Sequence, residues 1–409
     1  MKNLHHYLAE CPGPVGALAR AIDKTYLVSK PAISLAASIS LFSALKSGQV
    51  VSPEGVEPSL FVCLIAESGG GKSRANNIIE ALLVEYGIGG MRMGQPMSDS
   101  GLLKALARTP RSFLLWDEFG PALSELTQTA TGHRALILSV MMDLFSRAGK
   151  PFVGREYATQ ERVDIPAQWL TCFASSIPSR FYGSLSEDFV LDGFLSRWLT
   201  FILEEDIGEE CTTLTPPKFV CPPAVVEEIE KLANPVVEVK KGNLAVLSVQ
   251  TVPKKVVPIE GLMHKAILSQ CFNEQRAAPT EVQRVFLSRK FELYSKLCLV
   301  LGTDSEVTID VAGYSHDLAH YLIMTQAFAC EQKLGAGPKV RLRNKILELI
   351  PYNTWITASH LHDLTTQVSG KDRQEAIIDL LQSEKIECSK GVKPSGSRGR
   401  APKQYQRIA

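Results

Sequence analysis

Continuous apolar runs alternate with segments of helical periodicity along the first half of the chain. Unbroken apolar runs are typical of strands buried on both faces of a sheet, and they lie at 59–67, 112–116 and 169–175. Apolar positions repeat with helical spacing at 74–86, 98–107 and 133–147, and a helix of small and apolar residues begins at Pro31. Strands that alternate with helices predict an α/β fold with a largely parallel sheet.

The pattern changes twice in the second half of the chain. After a proline-rich stretch, three helical segments with little strand signal lie at about 260–275, 280–300 and 310–333. Helical segments at 341–349, 359–365 and 371–382 then precede two strand-like pieces around a Gly/Ser/Arg loop, and this order predicts a winged helix-turn-helix. We expect five regions: an N-terminal helical segment (1–50), a core (51–210), a linker (211–257), a helical subdomain (258–335) and a winged helix (339–409).

Composition and charge narrow the class of protein. Hydrophobic residues make up 45% and charged residues 21% of the 409 residues, which excludes a disordered or collagen-like chain. The formal net charge is +1, but residues 339–409 contain 13 basic and 7 acidic side chains, whereas residues 1–338 contain 31 basic and 36 acidic. The C-terminal region is therefore a basic module attached to a mildly acidic body.

Cysteine usage and the lack of targeting signals indicate the cellular compartment. The nine cysteines include no C-x-x-C pair, and several lie in apolar runs, as expected of reduced thiols. The N-terminus lacks the pattern of a signal peptide, and no apolar stretch is long enough to span a membrane. We therefore expect a cytoplasmic protein without a membrane partner.

A glycine-rich segment between the first predicted strand and its helix carries the clearest chemical signal. Ala66-Glu-Ser-Gly-Gly-Gly-Lys-Ser73 predicts a loop whose backbone N–H groups bind phosphate at a helix N-terminus, although Ala66 replaces the usual first glycine. Lys72 would contact the β- and γ-phosphates, and Ser73 would ligate Mg²⁺. The alternative is a strand-to-helix turn that binds no nucleotide. The nucleotide-binding residues are assigned as Ser68, Gly69, Gly70, Gly71, Lys72, Ser73 and Arg74.

Two carboxylates follow the next predicted strand. In open α/β sheets, ligands bind beyond the carboxyl ends of the strands, where Asp117 and Glu118 are expected to lie. Asp117 would hold the Mg²⁺ ion through a water molecule, and Glu118 would orient or deprotonate the attacking water. An ordinary helix cap after a strand is the alternative for this pair.

Hydroxyl and guanidinium groups near the third strand complete the predicted site. Ser175 or Ser176, at the end of that strand, could sense the γ-phosphate or the attacking water. The alternative is an ordinary strand-ending turn. Phosphoryl transfer also needs a cation, often an arginine supplied by a neighbouring subunit. We favour Arg197 for this role, with an intrachain salt bridge as the alternative. The other candidates are Arg180, Arg155 and Arg147.

Basic residues of the C-terminal module are candidate DNA contacts. Lys371, Arg373 and Gln374 begin the predicted recognition helix, where side chains can reach a groove. The candidate phosphate contacts on the wing are Lys390, Lys393, Arg398, Arg400 and Lys403. A winged helix used for protein contacts, with a solvated basic tail, is the alternative.

Two histidine pairs and one series of basic residues are expected to have structural roles. His316 with His320, and His360 with His362, have metal-like spacing, but no ligand cluster completes either pair, so surface or core roles are expected. The basic series Arg284, Arg289, Lys290 and Lys296 is expected on a solvated helix face, with nucleic-acid or nucleotide contact as the alternative.

These motifs together resemble those of P-loop replicative DNA helicases of the phage and plasmid type, the class often associated with a primase. The resemblance covers about 31–335 and rests on SGGGKS (68–73), SDSGLLKAL (98–106), LLWDEFG (114–120), ASSIPSRF (174–181) and DGFLSRWL (192–199). It implies a RecA/AAA-like core, a hexameric ring with ATP at subunit interfaces, and single-stranded DNA in the pore. It also implies replication of a phage or mobile element in the cytoplasm or nucleoid of a bacterial host. No primase-like or zinc motif precedes the P-loop, so we expect any priming to come from a separate primase or polymerase.

Three functional hypotheses follow. The first is an ATP- and Mg²⁺-dependent DNA helicase or translocase that acts as a ring on single-stranded DNA. The second is an initiator or helicase loader, in which ATP switches assembly and the winged helix recognises duplex DNA at an origin. The third, a P-loop nucleotide kinase or signalling ATPase, is disfavoured because such an enzyme needs no DNA-binding module.

Overall fold

The chain forms two compact units, Met1–Phe328 and Ala329–Ala409. A computed structural model describes residues 3–128, 135–154, 156, 162–203, 217–233, 254–259, 261–334, 338–351, 354–365, 368–383, 385–390 and 403–408. The first unit includes the N-terminal helical segment, the expected core and nearly all of the helical subdomain. These three regions, which the sequence separates, therefore pack as one body.

A five-stranded parallel sheet lies at the centre of the first unit, which confirms the α/β prediction. The strands of this unit are β1 (Val50–Val51), β2 (Phe61–Ile65), β3 (Arg92–Met93), β4 (Arg111–Trp116), β5 (Trp169–Ser176), β6 (Trp198–Ile202) and β7 (Lys255–Val256). The sheet has the order β3-β4-β5-β2-β6, and β1 pairs with β7 outside it. Strand β5 therefore lies between β2 and β4, and the three strands end at the same edge.

Most of the helices lie in the first unit, and the last of them continues across its boundary into the second unit. They are α1 (Leu4–Glu10), α2 (Gly13–Asp23), α3 (Pro31–Lys46), α4 (Lys72–Glu85), α5 (Asp99–Arg108), α6 (Phe119–Gln128), α7 (Ala135–Ser146), α8 (Pro178–Gly183), α9 (Glu187–Leu191), α10 (Pro223–Ala233), α11 (Gly261–Ala277), α12 (Glu281–Leu287), α13 (Lys290–Leu301) and α14 (Ile309–Leu334). The single helix expected at 280–300 is two helices, because the chain turns at Ser288 and Arg289. Across the described ranges, none of the helices combines the length and apolarity needed to cross a membrane.

Helix α3 is buried along its whole length and contacts β2, β4, β5 and β6. Its serines can be buried because their hydroxyls have partners. Ser38 Oγ donates to the Val15 carbonyl at 2.5 Å, and Ser43 Oγ donates to the Pro58 carbonyl at 2.8 Å. Small side chains and satisfied hydroxyls allow this helix to lie directly against the sheet.

Two lysines of α13 are buried, so the expected solvated basic face is wrong for them. Lys290 Nζ lies 2.5 Å from Glu274 Oε2, within an ion pair whose lysine side chain is fully buried. Lys296 Nζ donates to the Ser59 carbonyl at 3.0 Å and lies 4.3 Å from the centre of the Phe145 ring. Burial lowers the pKa of Lys296. Both amines therefore stabilise the packing of α13 within the first unit. Because they are buried, they are not exposed for contact with nucleic acid.

The second unit is small and mixed. Its elements are α15 (Pro338–Leu349), β8 (Ile356–Thr357), α16 (Ala358–Leu364), α17 (Gly370–Gln382), β9 (Ile386–Lys390) and β10 (Lys403–Arg407). The three strands form an antiparallel sheet in the order β8-β10-β9. Ile346, Ile350, Leu361, Leu380 and Tyr405 form its core with their neighbours. The helices lie close to the segments that the sequence predicts.

Candidate nucleotide-binding site

The glycine-rich segment forms a tight loop between β2 and α4. Gly69 and Gly71 have φ angles of +82° and +92°, in the left-handed region that favours glycine. A Cβ atom on Gly71 would lie 2.7 Å from Cε1 of Tyr26, so the ring also requires glycine there. Gly71 is the N-cap of α4, and the first N–H groups of the helix therefore face the loop. This is the backbone arrangement that binds phosphate.

A cavity of about 700 Å³ lies over this loop. It brings together most of the predicted nucleotide, metal and sensor residues, because β2, β4 and β5 are adjacent and parallel and their carboxyl ends meet. The predicted residues that line it are Ser68, Gly69, Gly70, Gly71, Lys72, Ser73, Asp117, Glu118, Ser175 and Ser176, and Pro121, Ile177 and Arg180 complete the wall.

The amine of Lys72 lies at the base of the loop. Its Nζ donates to the Ala66 carbonyl at 2.6 Å and to the Ser176 carbonyl at 3.4 Å. Burial lowers the pKa of Lys72, whereas the charges of Asp117, Glu67 and Glu118 act in the opposite direction. The ammonium is therefore partly desolvated, and a phosphate bound beside it would meet a strong positive charge.

Hydrogen bonds fix the acidic pair. Ser175 Oγ donates to Asp117 Oδ1 at 2.5 Å, and the Glu118 N–H donates to the same oxygen at 3.1 Å. Gln95, from the loop after β3, donates to the Asp117 carbonyl at 3.3 Å. Glu118 has a φ of +54° and is the one non-glycine residue with positive φ among those described. Such strained conformations concentrate at functional sites.

The two predicted metal ligands suit magnesium. The Ser73 hydroxyl and the Asp117 carboxylate line the same cavity and offer the hard oxygen atoms that Mg²⁺ prefers. Within the described residues no group of three or more His, Cys, Asp or Glu side chains could hold a metal. Mg²⁺ commonly takes one or two protein oxygens and completes its shell with water and substrate phosphates, so this sparse donor set fits.

The predicted arginines lie in different places. Arg180 belongs to α8, directly after β5, and lines the cavity. Arg197 precedes β6, whose first residue pairs with Phe61 at the start of β2, so Arg197 lies at the opposite edge of the sheet from the phosphate loop. Its guanidinium donates to the Gly193 carbonyl. Burial lowers the pKa of Arg197. Arg147 is exposed after α7, and Arg155 lies outside the described residues.

Arg74 does not line the cavity over residues 69–73, which we call the phosphate cavity. Its guanidinium donates to the Thr25 carbonyl, lies 5.6 Å from the centre of the Tyr26 ring, and lines another cavity. The Tyr26 hydroxyl donates to the Gly71 carbonyl at 3.0 Å, and burial raises its pKa, which keeps the hydroxyl protonated as a donor. Sequence reasoning missed Tyr26 and Gln95, because neither belongs to a local motif.

One proposed DNA contact of the second unit is internal. Arg373 is only 8% exposed, and its guanidinium donates to the Thr365 and Val368 carbonyls at 2.6 and 2.8 Å and contacts His362. These bonds attach α17 to the connection that precedes it. Arg373 is therefore a structural residue, and its assignment to DNA is corrected.

The other proposed DNA contacts that the structure describes differ in exposure and position. Lys371 and Gln374 are exposed near the N-terminus of α17. Lys403 is exposed at the start of β10 and pairs in register with Lys390 at the end of β9. Lys393, Arg398 and Arg400 lie outside the described residues. The exposed set therefore comes from the start of α17 and from the β9–β10 hairpin.

Comparisons with known proteins do not assign this chain to a family. No protein-family model matches this chain, and no curated protein matches its sequence. The function is therefore inferred from the residues of the cavity and from the resemblance of the motifs.

Proposed function

We propose that this protein is an ATP-dependent DNA helicase or translocase with a RecA/AAA-like P-loop core. The observation that carries the proposal is the single cavity shared by the phosphate loop, the Asp117–Glu118 pair and Ser175. These groups come from three different strands and are the ones that nucleotide hydrolysis requires. The position of β5 between β2 and β4 supports the proposal, because it puts a hydroxyl beside the carboxylate that would hold the metal.

Each residue has a role in hydrolysis. The N–H groups of 69–73 and the Lys72 ammonium bind the phosphates of ATP and stabilise the charge that develops on them. The Glu118 carboxylate orients the attacking water and accepts its proton. Ser73 and Asp117 would hold Mg²⁺, which supplies positive charge against the phosphate oxygens when it is bound. Ser175 keeps the Asp117 carboxylate oriented.

Arg180 is the proposed cation for the transferred phosphoryl group within the same chain. It lines the cavity, and it is carried by a helix that begins directly after β5. Gly120 allows that helix to approach α6, since a Cβ atom there would lie 2.8 Å from Cβ of Arg180. Arg197, at the other edge of the sheet, remains the candidate for completing the site of a neighbouring subunit in the hexamer that the resemblance implies.

The second unit is the proposed DNA-binding module. The element order and the three-stranded antiparallel sheet support its assignment as a winged helix. Lys371 and Gln374 would approach a DNA groove, and Lys390 and Lys403 would approach phosphates. The proposed partners are single-stranded DNA in the ring, a separate primase or polymerase, and further copies of this chain.

An ATP-switched initiator or helicase loader is the second candidate. The observation that favours it is the exposure of Lys371 and Gln374 at the start of α17, where a duplex-reading helix presents its side chains. Displacement of a labelled strand by the full chain separates the two candidates. Displacement that requires ATP and is lost in Lys72→Ala supports the motor. A duplex that stays intact with ATP, together with a discrete footprint on origin DNA, overturns the motor and supports the initiator.

A further inference from the structure

A segment outside the sequence motifs contacts the phosphate loop. Residues 24–30 connect α2 to α3, and Tyr26 in this segment contacts Gly71, which lies 45 positions later in the chain. The Tyr26 hydroxyl donates to the Gly71 carbonyl at 3.0 Å. A Cβ atom on Gly71 would lie 2.7 Å from Cε1 of Tyr26, so the ring packs directly against the glycine. Tyr26 therefore contacts the loop through both its hydroxyl and its ring.

Hydrogen bonds fix the segment that carries Tyr26. The Asp23 carboxylate accepts a bond from the Lys30 N–H at 2.7 Å, and the Asp23 carbonyl accepts one from the Tyr26 N–H at 3.0 Å. The Arg74 guanidinium, on α4, donates to the Thr25 carbonyl and lies 5.6 Å from the centre of the Tyr26 ring. Both the end of α2 and the start of α4 therefore hold Tyr26 in place.

The carbonyl that Tyr26 binds belongs to the peptide group between Gly71 and Lys72. In a trans peptide the carbonyl oxygen and the N–H point in opposite directions. The Gly71 carbonyl faces Tyr26, so the Lys72 N–H points away from Tyr26. Gly71 and Lys72 line the phosphate cavity, and Tyr26 is not among the residues that line it. The contact with Tyr26 therefore turns the Lys72 N–H toward the cavity.

The loop does little to fix its own backbone. Residues 69–71 are three consecutive glycines, and glycine loses more conformational freedom on ordering than any other residue. Gly69 is exposed, and among the described residues no atom lies within 4 Å of a Cβ atom built on it. Gly71 is the glycine of the three that packs against a ring. A binding group that is fixed in advance costs less ordering when its ligand arrives.

We propose that Tyr26 is a positioning residue for the phosphates of the nucleotide: it fixes the Gly71–Lys72 peptide with the Lys72 N–H facing the phosphate cavity before a ligand binds. This role rests on the proposed function, because it needs phosphates on 69–73. Tyr26 touches no phosphate and acts through the orientation of one peptide group. Burial raises the pKa of Tyr26, so its hydroxyl remains protonated and continues to donate.

Tyr26→Phe removes the hydroxyl and keeps the ring. The Gly71 carbonyl retains a partner in this variant, because the Arg74 N–H also donates to it at 3.2 Å, and the fold should be kept. Tyr7→Phe is the matched control. The Tyr7 hydroxyl also donates to a backbone carbonyl of the first unit, that of Asp317, at 3.2 Å, but Tyr7 lines a different cavity.

Calorimetry on the full chain measures the binding of ATP and of inorganic tripolyphosphate, and thermal melting measures the stability of each variant. We expect Tyr26→Phe to weaken the binding of both ligands about fivefold, equivalent to about 1 kcal/mol for one hydrogen bond. Tyr7→Phe should bind both ligands as the wild type does, although it loses a hydrogen bond of the same kind. A purely structural hydroxyl would lower the melting temperature and leave both affinities unchanged.

Three results would overturn the role of Tyr26 and leave the phosphate site standing. They are wild-type affinities in Tyr26→Phe, an equal loss of affinity in Tyr7→Phe, and a loss confined to ATP, since the loop would bind the phosphates of both ligands. If the wild-type protein binds neither ATP nor tripolyphosphate, the proposed function fails and the role of Tyr26 fails with it.

Discussion

Two adjacent serines at the end of β5 give the sharpest test of the proposed catalytic geometry. Ser175 and Ser176 are each 3% exposed, and both line the phosphate cavity. Their hydroxyls have different partners: Ser175 donates to the Asp117 carboxylate at 2.5 Å, whereas Ser176 donates to the Ile177 carbonyl at 3.2 Å. Ser175→Ala should therefore slow ATP hydrolysis, and Ser176→Ala should serve as its matched control.

The size of the effect follows from the bond. A hydrogen bond to a charged group contributes about 1.5–3 kcal/mol, and each 1.36 kcal/mol of barrier changes a rate tenfold. If the full free energy of the Ser175–Asp117 hydrogen bond stabilises the transition state, its loss in Ser175→Ala lowers the rate of ATP hydrolysis about 10- to 150-fold. Phosphate release at saturating ATP and Mg²⁺ measures this rate. The reasoning is refuted if Ser175→Ala matches wild type, or if Ser176→Ala loses as much activity.

Three further predictions concern the arginines and Lys72. Arg373→Ala removes two bonds to backbone carbonyls and should destabilise α17 by about 3 kcal/mol or more, seen as faster amide hydrogen exchange in that helix, while Gln374→Ala leaves the exchange unchanged. Arg180→Ala should lower hydrolysis at least about tenfold at unchanged fold, whereas Arg197→Ala should leave the hydrolysis of an isolated monomer unchanged; equal losses in the two variants would contradict this assignment. Because burial lowers the pKa of Lys72, its ammonium loses its proton at a lower pH than an ordinary lysine, so ATP affinity should fall as the pH rises through that lowered pKa. A flat affinity profile toward alkaline pH would contradict this.

The sequence predicts the part of the site that depends on local patterns. A buried strand, a glycine-rich loop and a helix follow one another at β2 and α4, so Lys72 and Ser73 are found without tertiary information. The Ser98 cap of α5 is likewise local, and its hydroxyl accepts from the Gly101 N–H at 3.1 Å. The positions of Asp117 and Ser175 follow from the rule that parallel strands end at one edge.

Contacts between distant segments were not predictable from these patterns. Tyr26 lies 45 residues before Gly71, and nothing near Tyr26 indicates that its ring lies against the loop. The five-residue strand β6 was missed, because a short apolar run after Arg197 does not distinguish a strand from a buried helix.

The helical periodicity around Arg373 indicates a buried position, in contrast to the predicted DNA contact. Positions 373, 376 and 380 share one face of a helix, and Ala376 and Leu380 are apolar, so helical spacing already puts Arg373 on the buried side. The basic composition of a segment does not distinguish side chains on the buried face of a helix from those on its exposed face. Lys371 and Gln374 lie on the exposed face.

The proposed DNA motor is tested most directly by ATP hydrolysis of the full chain with and without single-stranded DNA, with Lys72→Ala as the blank. We predict hydrolysis that single-stranded DNA stimulates strongly, because a DNA motor hydrolyses ATP as it moves along its track, and that disappears in the variant, because Lys72 would bind the phosphates. Hydrolysis that ignores DNA would contradict the motor, and hydrolysis that persists in Lys72→Ala would contradict the site itself.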